Sequence, residues 1–83
     1  MKEYSLSVRM GGGRLYRDGQ FVLRSDSLTV VENIAALWKK LEILGERVVE
    51  MRETTYDART GDRTFIVQTL PIGKIGTDDD DLA

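Results

Sequence analysis

The segment RMGGGRLYRDGQF (residues 9–21) places three consecutive glycines between two arginines and follows them with an Asp-Gly pair. Asp18 and Gly19 favour a two-residue type I′ hairpin turn, because both central positions of that turn need positive φ. The sequence is compatible with two arrangements of this first hairpin. In the favoured one, the glycines lead into a short strand at residues 14–17. In the other, the flanking strands pair directly and residues 11–19 form one long flexible tip.

Apolar residues alternate with polar ones on both sides of this segment. Within the first ten residues they occupy every second position, which is the period of a half-buried strand. A further strand is predicted over residues 20–24, where Phe21 and Leu23 are expected to join the same apolar face. The alternating residues of the first strand are Tyr4, Leu6, Val8 and Met10.

A helical period follows these strands. Thr29 and Glu32 have the spacing of a capping box, in which each side chain accepts a hydrogen bond from the backbone N–H of the other residue. Gly45 suits the left-handed residue that ends a helix. The pattern predicts a helix of about fifteen residues. Trp38 is expected to pack into the core between the helix and the sheet, and the alternative is a partly exposed interface anchor. Its apolar stripe comprises Val30, Ile34, Leu37, Leu41 and Leu44, widened by Val31 and Trp38.

A second hairpin is predicted after the helix. Residues 47–56 and 63–70 are rich in β-forming residues, and the intervening residues supply Asp and Gly for a turn. Pro71 cannot donate a ladder hydrogen bond, so the last strand is expected to stop before it. The sequence therefore predicts one domain over residues 1–71, followed by a flexible acidic tail over residues 72–83.

The element order is ββαββ, and one amphipathic helix buries its apolar stripe against one face of a sheet. SDSLTVVENI (residues 25–34) resembles the ubiquitin-type entry into the helix, and TTYDARTGDRTFIV (residues 54–67) is similar to the last hairpin of the protein G immunoglobulin-binding domain. The resemblance implies an α+β, β-grasp-like fold, with one helix on one face of a four-stranded mixed sheet whose outer strands meet in parallel at the centre. The favoured arrangement adds an extra short strand at residues 14–17.

Composition argues against catalysis. The 83 residues include no histidine and no cysteine, so the usual general base, the thiol nucleophile and the thiolate metal ligand are all missing. Ubiquitin-like modifiers end in Gly-Gly, whereas this sequence ends in DDDDLA. The resemblance therefore implies only a binding role. We expect a non-enzymatic cytoplasmic domain with no cofactor, no metal site and no membrane segment.

Charge is distributed unevenly along the sequence. Without the acidic run, ten of the 14 acidic residues remain against 12 basic ones, so the net charge of −2 becomes +2. Arg9, Arg14 and Arg17 surround the glycine triplet and form a candidate site for an anionic ligand. The triplet lacks the lysine and the helix of a P-loop, so a hairpin turn is its better interpretation. The acidic tail residues, a candidate competitor for these arginines, are Asp78, Asp79, Asp80, Asp81 and Leu82.

The predicted outer face of the sheet carries apolar side chains. If Phe65 and Val67 face the helix, then Ile66 faces solvent, together with Val22 and with either Val48 or Val49. Val22, Val48 and Ile66 are therefore the candidate partner-binding face.

The sequence thus favours a small protein-binding domain that acts through its sheet face or through a strand edge, on another protein or on a second copy. By analogy, it is similar to small accessory and inhibitor proteins of bacteria and phages. The alternative function is binding of a nucleic acid or nucleotide by the basic first hairpin, with the tail as competitor.

Overall fold

Five strands and one helix form the part of the chain that the computed structural model describes, residues 1–72. The strands form a single sheet in the order β3-β2-β1-β5-β4, with every neighbouring pair antiparallel. The helix packs against one face of this sheet. The elements are β1 (Lys2–Arg9), β2 (Gly12–Arg17), β3 (Gln20–Ser25), α1 (Val30–Ile43), β4 (Glu46–Asp57) and β5 (Asp62–Pro71).

The α+β class and the single helix on one sheet face are confirmed, but the sheet differs from the four-stranded mixed sheet that was predicted. The short strand expected at residues 14–17 exists and begins earlier, at Gly12. This extra strand reverses the chain direction once more before the helix. The last strand therefore lies antiparallel to β1 at the sheet centre, whereas a β-grasp sheet has a parallel pair there.

Two tight turns build the three-stranded first half of the sheet. Arg9 lies opposite Gly12, so the first turn has two central residues, the second of which is Gly11 with φ +90°. In the second turn, Asp18 and Gly19 have φ 53° and 76°. Positive φ at both central positions is the type I′ geometry, as the sequence predicts.

The third glycine of the triplet has a packing role. A Cβ atom at Gly13 would lie 2.8 Å from Ser25 Oγ, 2.9 Å from Val8 Cγ1 and 3.1 Å from Leu37 Cδ1. The helix therefore approaches β2 more closely than any larger side chain permits. At Gly12, by contrast, the nearest atom to such a Cβ is the Ser25 carbonyl oxygen at 3.7 Å. Two of the three glycines are thus explained, Gly11 as a turn residue and Gly13 by its close contacts.

The core lies between α1 and the three central strands. Two of the strand residues predicted to face the helix lie outside it. Met10 belongs to the first turn and is 77% exposed. Phe21 pairs with Tyr16 while Leu23 pairs with Leu15, which leaves Val22 as a bulge residue. This bulge turns Phe21 to the face opposite Leu23. The buried apolar residues are Tyr4, Leu6, Val8, Leu15, Leu37, Leu41 and Val67.

The helix begins and ends where the sequence predicts. Thr29 is the N-cap, and both hydrogen bonds of the capping box with Glu32 are present, at 3.1 and 3.2 Å. Gly45 follows the C-cap with φ +89°, and its N–H donates to the Glu42 carbonyl. Leu44, expected on the apolar stripe, is half exposed.

A buried asparagine joins the helix to the sheet. The Asn33 Oδ1 atom accepts hydrogen bonds from Ser25 Oγ at 2.7 Å and from the Ser27 N–H at 3.0 Å. Its Nδ2 atom donates to the carbonyl oxygens of Arg9, Ser27 and Thr29 at 2.9 to 3.0 Å. One fully buried amide therefore satisfies hydrogen-bonding groups in the loop before the helix and at the end of β1.

The β4–β5 hairpin ends in a four-residue turn between Asp57 and Asp62. Near this turn the hairpin is stabilised by exposed local pairs. The Arg63 guanidinium donates to Glu53 Oε2 at 2.8 Å and lies 4.6 Å from the centre of the Tyr56 ring. Tyr56 itself is more than half exposed. The tip of the hairpin thus contributes little to the apolar core.

The two glycines of β2 allow a matched test of the close helix approach. We expect Gly13→Ala to lower the free energy of unfolding by about 1–3 kcal/mol, because overpacking displaces the surrounding side chains. Gly12→Ala is the control and should change it by less than about 0.5 kcal/mol, since its Cβ meets only ordinary contact distances. Urea unfolding measures both values, and equal effects would contradict the packing explanation.

Replacing the buried amide by a carboxylate tests the Asn33 network. Asn33→Asp removes a donor and places a negative charge beside three carbonyl oxygens. We expect a loss of about 3 kcal/mol, typical of an uncompensated buried charge. Gln68→Glu makes the same chemical change at an exposed hydrogen bond to Glu3 and should cost less than about 1 kcal/mol. Similar thermal shifts for both variants would show that the network is not the cause.

Candidate interaction surfaces

The residues predicted to form an apolar sheet face do not share one face. Ile66 lies opposite Ser5, on the side of the sheet away from the helix. Val48 lies opposite the buried Thr69 and packs against the core, so its expected exposure is wrong. A bulge between Val48 and Glu50 leaves Val49 as the extra, exposed residue. Val22 is a bulge residue that interrupts the alternation of faces in β3, so the register places Ile66 on the outer face and removes Val48 from it.

The face of the sheet away from the helix is largely polar. Tyr16 and Phe21 form an edge-to-face pair with ring centres 6.2 Å apart. Ser5 lies between Tyr16 and Ile66 in the same row across the sheet, so a small polar residue separates the aromatic pair from the isoleucine. Serine, threonine, glutamine and arginine occupy most other positions. This face does not present a continuous apolar patch.

Three arginines line a groove beside the first turn. Arg9 and Arg14, both predicted as anion ligands, contribute to it, and Arg24 is the third. The groove has a volume of about 410 Å³ and exposes glycine backbone at its floor. Arg17 is elsewhere. Its guanidinium lies 5.8 Å from the centre of the Tyr4 ring, on the helix-facing side.

Acidic residues partly neutralise this arginine groove. Arg9 Nε lies 3.7 Å from Asp62 Oδ1, and Arg24 Nε lies 4.0 Å from Asp26 Oδ1. Both aspartates line the groove as well. Since two of its three arginines face a carboxylate, the groove carries a net charge of only one positive unit. Exposed pairs at these distances are weak, so an incoming anion has to compete with both aspartates.

An exposed apolar surface lies on α1. Val31, Ile34, Ala35 and Trp38 line a shallow groove of about 490 Å³ along the helix, bordered by Lys39 and Glu42. We call this surface the helix flank. Val31 is 74% exposed and Trp38 is 36% exposed. The expectation that Trp38 packs in the core is therefore wrong. At 100° per residue, position 38 lies at the edge of the stripe that Leu37 and Leu41 direct toward the sheet.

The helix flank is turned toward the β4 side of the sheet. Lys40 projects from the opposite side of α1, where its Nζ atom donates to the Arg24 carbonyl of β3 at 3.1 Å. Since β3 and β4 are the two edge strands, the surface around Trp38 lies nearer β4. The sequence signal for this surface is the spacing of Val31, Ala35 and Trp38 at i, i+4 and i+7. The helical pattern placed Val31 and Trp38 at the margin of the core stripe instead.

Both edge strands are poorly suited to pairing with another strand. In β3, the bulge at Val22 interrupts the ladder. In β4, two further interruptions leave Val49 and Thr54 without partners. Bulges and charged side chains are the usual protection of exposed strand edges. The charged residues of β4 are Glu46, Arg47, Glu50, Arg52, Glu53 and Asp57.

A buried acidic residue closes one end of the core. Glu46 is 4% exposed, and its carboxylate accepts hydrogen bonds from Lys2 Nζ and Thr69 Oγ1, both at 2.9 Å. Burial alone raises the pKa of Glu46, but these hydrogen bonds and the positive charges of Lys2 and Arg17 outweigh burial and lower it. The carboxylate is therefore an anchor of the fold that stays ionised at neutral pH.

Within residues 1–72, no group of three or more acidic, histidine or cysteine side chains is arranged to hold a metal ion. In the same part of the chain, α1 is too short and too polar to cross a bilayer. The predicted tail residues Asp78–Asp81 and Leu82 lie outside the described residues. Comparisons with protein-family models, with curated proteins and with solved structures find no match for this chain.

The Glu46 anchor predicts a specific pH dependence. Because its pKa is lowered on folding, the stabilisation is fully present above the ordinary carboxyl pKa of about 4.5 and is lost as the pH falls through the lower folded value. We expect Glu46→Gln to be less stable than the natural chain at pH 7, with the difference in unfolding free energy shrinking below about pH 4. Urea titrations between pH 3 and 7 measure this difference, and a constant difference would contradict the assignment.

Proposed function

We propose that this chain is a non-enzymatic protein-binding domain whose contact surface is the helix flank. The exposed pair of Val31 and Trp38 on one side of α1 is the observation that carries the proposal. Adjacent exposed apolar side chains with a polar rim are typical of protein-binding sites. Tryptophan is also among the residues that contribute most to binding energy at interfaces.

The chemistry of the other surfaces supports this choice. The outer sheet face separates its apolar residues with serine, and the edge strands contain bulges. The helix flank instead combines apolar groups with Lys39 and Glu42 at its border. A small domain of this kind acts by covering a surface of its partner, as accessory and inhibitor proteins do.

Anion binding at the arginine groove is the second candidate function. Arg9, Arg14 and Arg24 meet over exposed glycine backbone, which is chemistry suited to a phosphate group. However, Asp26 and Asp62 compete for two of these arginines. Nucleic-acid binding proteins ordinarily carry a stronger basic surface, so the groove has less support than the helix flank.

A retention experiment separates the two candidates. The full chain is immobilised and exposed to lysate of its source cells, with and without nuclease. We expect bound proteins to survive nuclease and to be lost with Ala35→Glu, because the new charge must be desolvated within the helix flank. Ala58→Glu makes the same change in the exposed β4–β5 turn and should retain them.

Two results would contradict the proposal. Retention that Ala35→Glu leaves unchanged would exclude the helix flank as the contact surface. Retention that nuclease abolishes, and that weakens steeply with salt, would favour the arginine groove, because phosphate contacts release counterions. Mass spectrometry of the eluted material and a thermal melt of each variant complete the measurement.

A further inference from the structure

We propose that the partner of the helix flank is a second copy of this chain, with the two α1 helices antiparallel around a two-fold axis near Ala35. This inference rests on the proposed function and names its partner. A two-fold interface brings the same surface patch of each copy together. The patch must therefore be complementary to itself, and the residues on this side of α1 have that property.

The apolar residues match across such an axis. Val31 and Trp38 lie on the same side of the helix, and Ala35 lies between them along the chain. With antiparallel helices, Val31 of one copy faces the region of Trp38 in the other. Ala35 at the centre has a small side chain, which allows the two backbones to approach closely. Both large exposed apolar groups of the flank are then covered at once.

The charged residues match as well. Glu32 and Lys39 are both exposed and lie seven residues apart, which is about two helical turns. They therefore form one line beside the apolar residues. In the antiparallel arrangement, Glu32 of each copy faces Lys39 of the other, which produces two symmetric ion pairs. In a parallel arrangement, Glu32 of one copy and Lys39 of the other would lie about 10 Å apart along the helix axes, so these ion pairs would not form. The midpoints of the charged pair and of the apolar pair both fall within one residue of Ala35.

The size of the surface sets the expected affinity. The 14 residues of α1 span about 21 Å, so one side of this helix offers less than the roughly 800 Å² per partner of a standard interface. We therefore expect a weak dimer with a dissociation constant in the micromolar range. Its population should rise with protein concentration.

Complementary charge reversal tests the pairing. Glu32→Lys and Lys39→Glu each create two like-charge contacts across the axis, so each variant alone should sediment as a monomer at concentrations where the natural chain dimerises. Their equimolar mixture restores both ion pairs between unlike copies and should sediment as a dimer. Trp38 is the only tryptophan, so its emission should shift to shorter wavelength on mixing.

Controls separate charge pairing from changes in folding or net charge. Arg59→Glu reverses an exposed charge in the β4–β5 turn and should dimerise like the natural chain. Because Glu32→Lys also removes one capping-box hydrogen bond, circular dichroism melts must show that it is folded at the temperature of sedimentation.

The pairing is overturned if the full chain stays monomeric up to about 1 mM. It is equally overturned if the single variants dimerise normally, or if their mixture stays monomeric. The retention experiment with Ala35→Glu measures the binding of other proteins from the lysate. A monomeric chain that still retains proteins through its helix flank would therefore refute the second copy as partner and leave the protein-binding function in place.

Discussion

The hydrogen bonds of one buried amide determine how the helix is placed on the sheet. Asn33 binds the carbonyl of Arg9 at the end of β1, Ser25 at the end of β3, and both Ser27 and Thr29 in the loop that leads into α1. If one of these buried polar groups had no hydrogen-bond partner, the free energy of unfolding would fall by about 1–3 kcal/mol. Apolar packing alone tolerates rotation of a helix, whereas a buried amide with fixed partners does not. The exposed position of the helix flank is a consequence of this fixed rotation.

Gly13 has a complementary effect. It sets the distance between the helix and β2, whereas Asn33 sets the rotation of the helix about its own axis. The absence of a side chain allows Leu37 to reach the surface of β2. A close approach at this point leaves Val31 and Trp38 on the side of α1 that the sheet does not cover. The same packing that stabilises the fold thus produces the surface to which we assign recognition.

Local signals in the sequence predicted the local structure well. The Asp18-Gly19 turn, the Thr29 capping box and the Gly45 helix end each depend on neighbouring residues only. The sheet topology depended on whether the glycine triplet leads into a strand, and the resemblance to the β-grasp fold assumed a four-stranded sheet. A fifth strand inverts the direction of the final hairpin, which no local pattern reveals.

Side-chain orientation was harder to predict for a related reason. Alternation assigns faces correctly only while the ladder is regular, and the bulges at Val22 and Val49 each shift it by one residue. The faces of Phe21 and Val48 were reversed in this way. Trp38 was misplaced because helical periodicity gives an angle but not the width of the surface that the sheet covers. Arg9 and Arg14 of the arginine groove were predictable because they flank the glycine triplet, whereas Arg24 was not, because cross-strand neighbours are distant in sequence.

The turn that joins β4 to β5 shows that stabilising contacts are distributed unevenly over this small domain. Around Tyr56 and Arg63, the contacts are an exposed aromatic ring against a guanidinium group and not buried apolar side chains. Regions with few buried apolar contacts open locally at a fraction of the energy needed to unfold a whole chain. The loop between Asp57 and Asp62 is accordingly a natural insertion point for a peptide tag or a fluorophore.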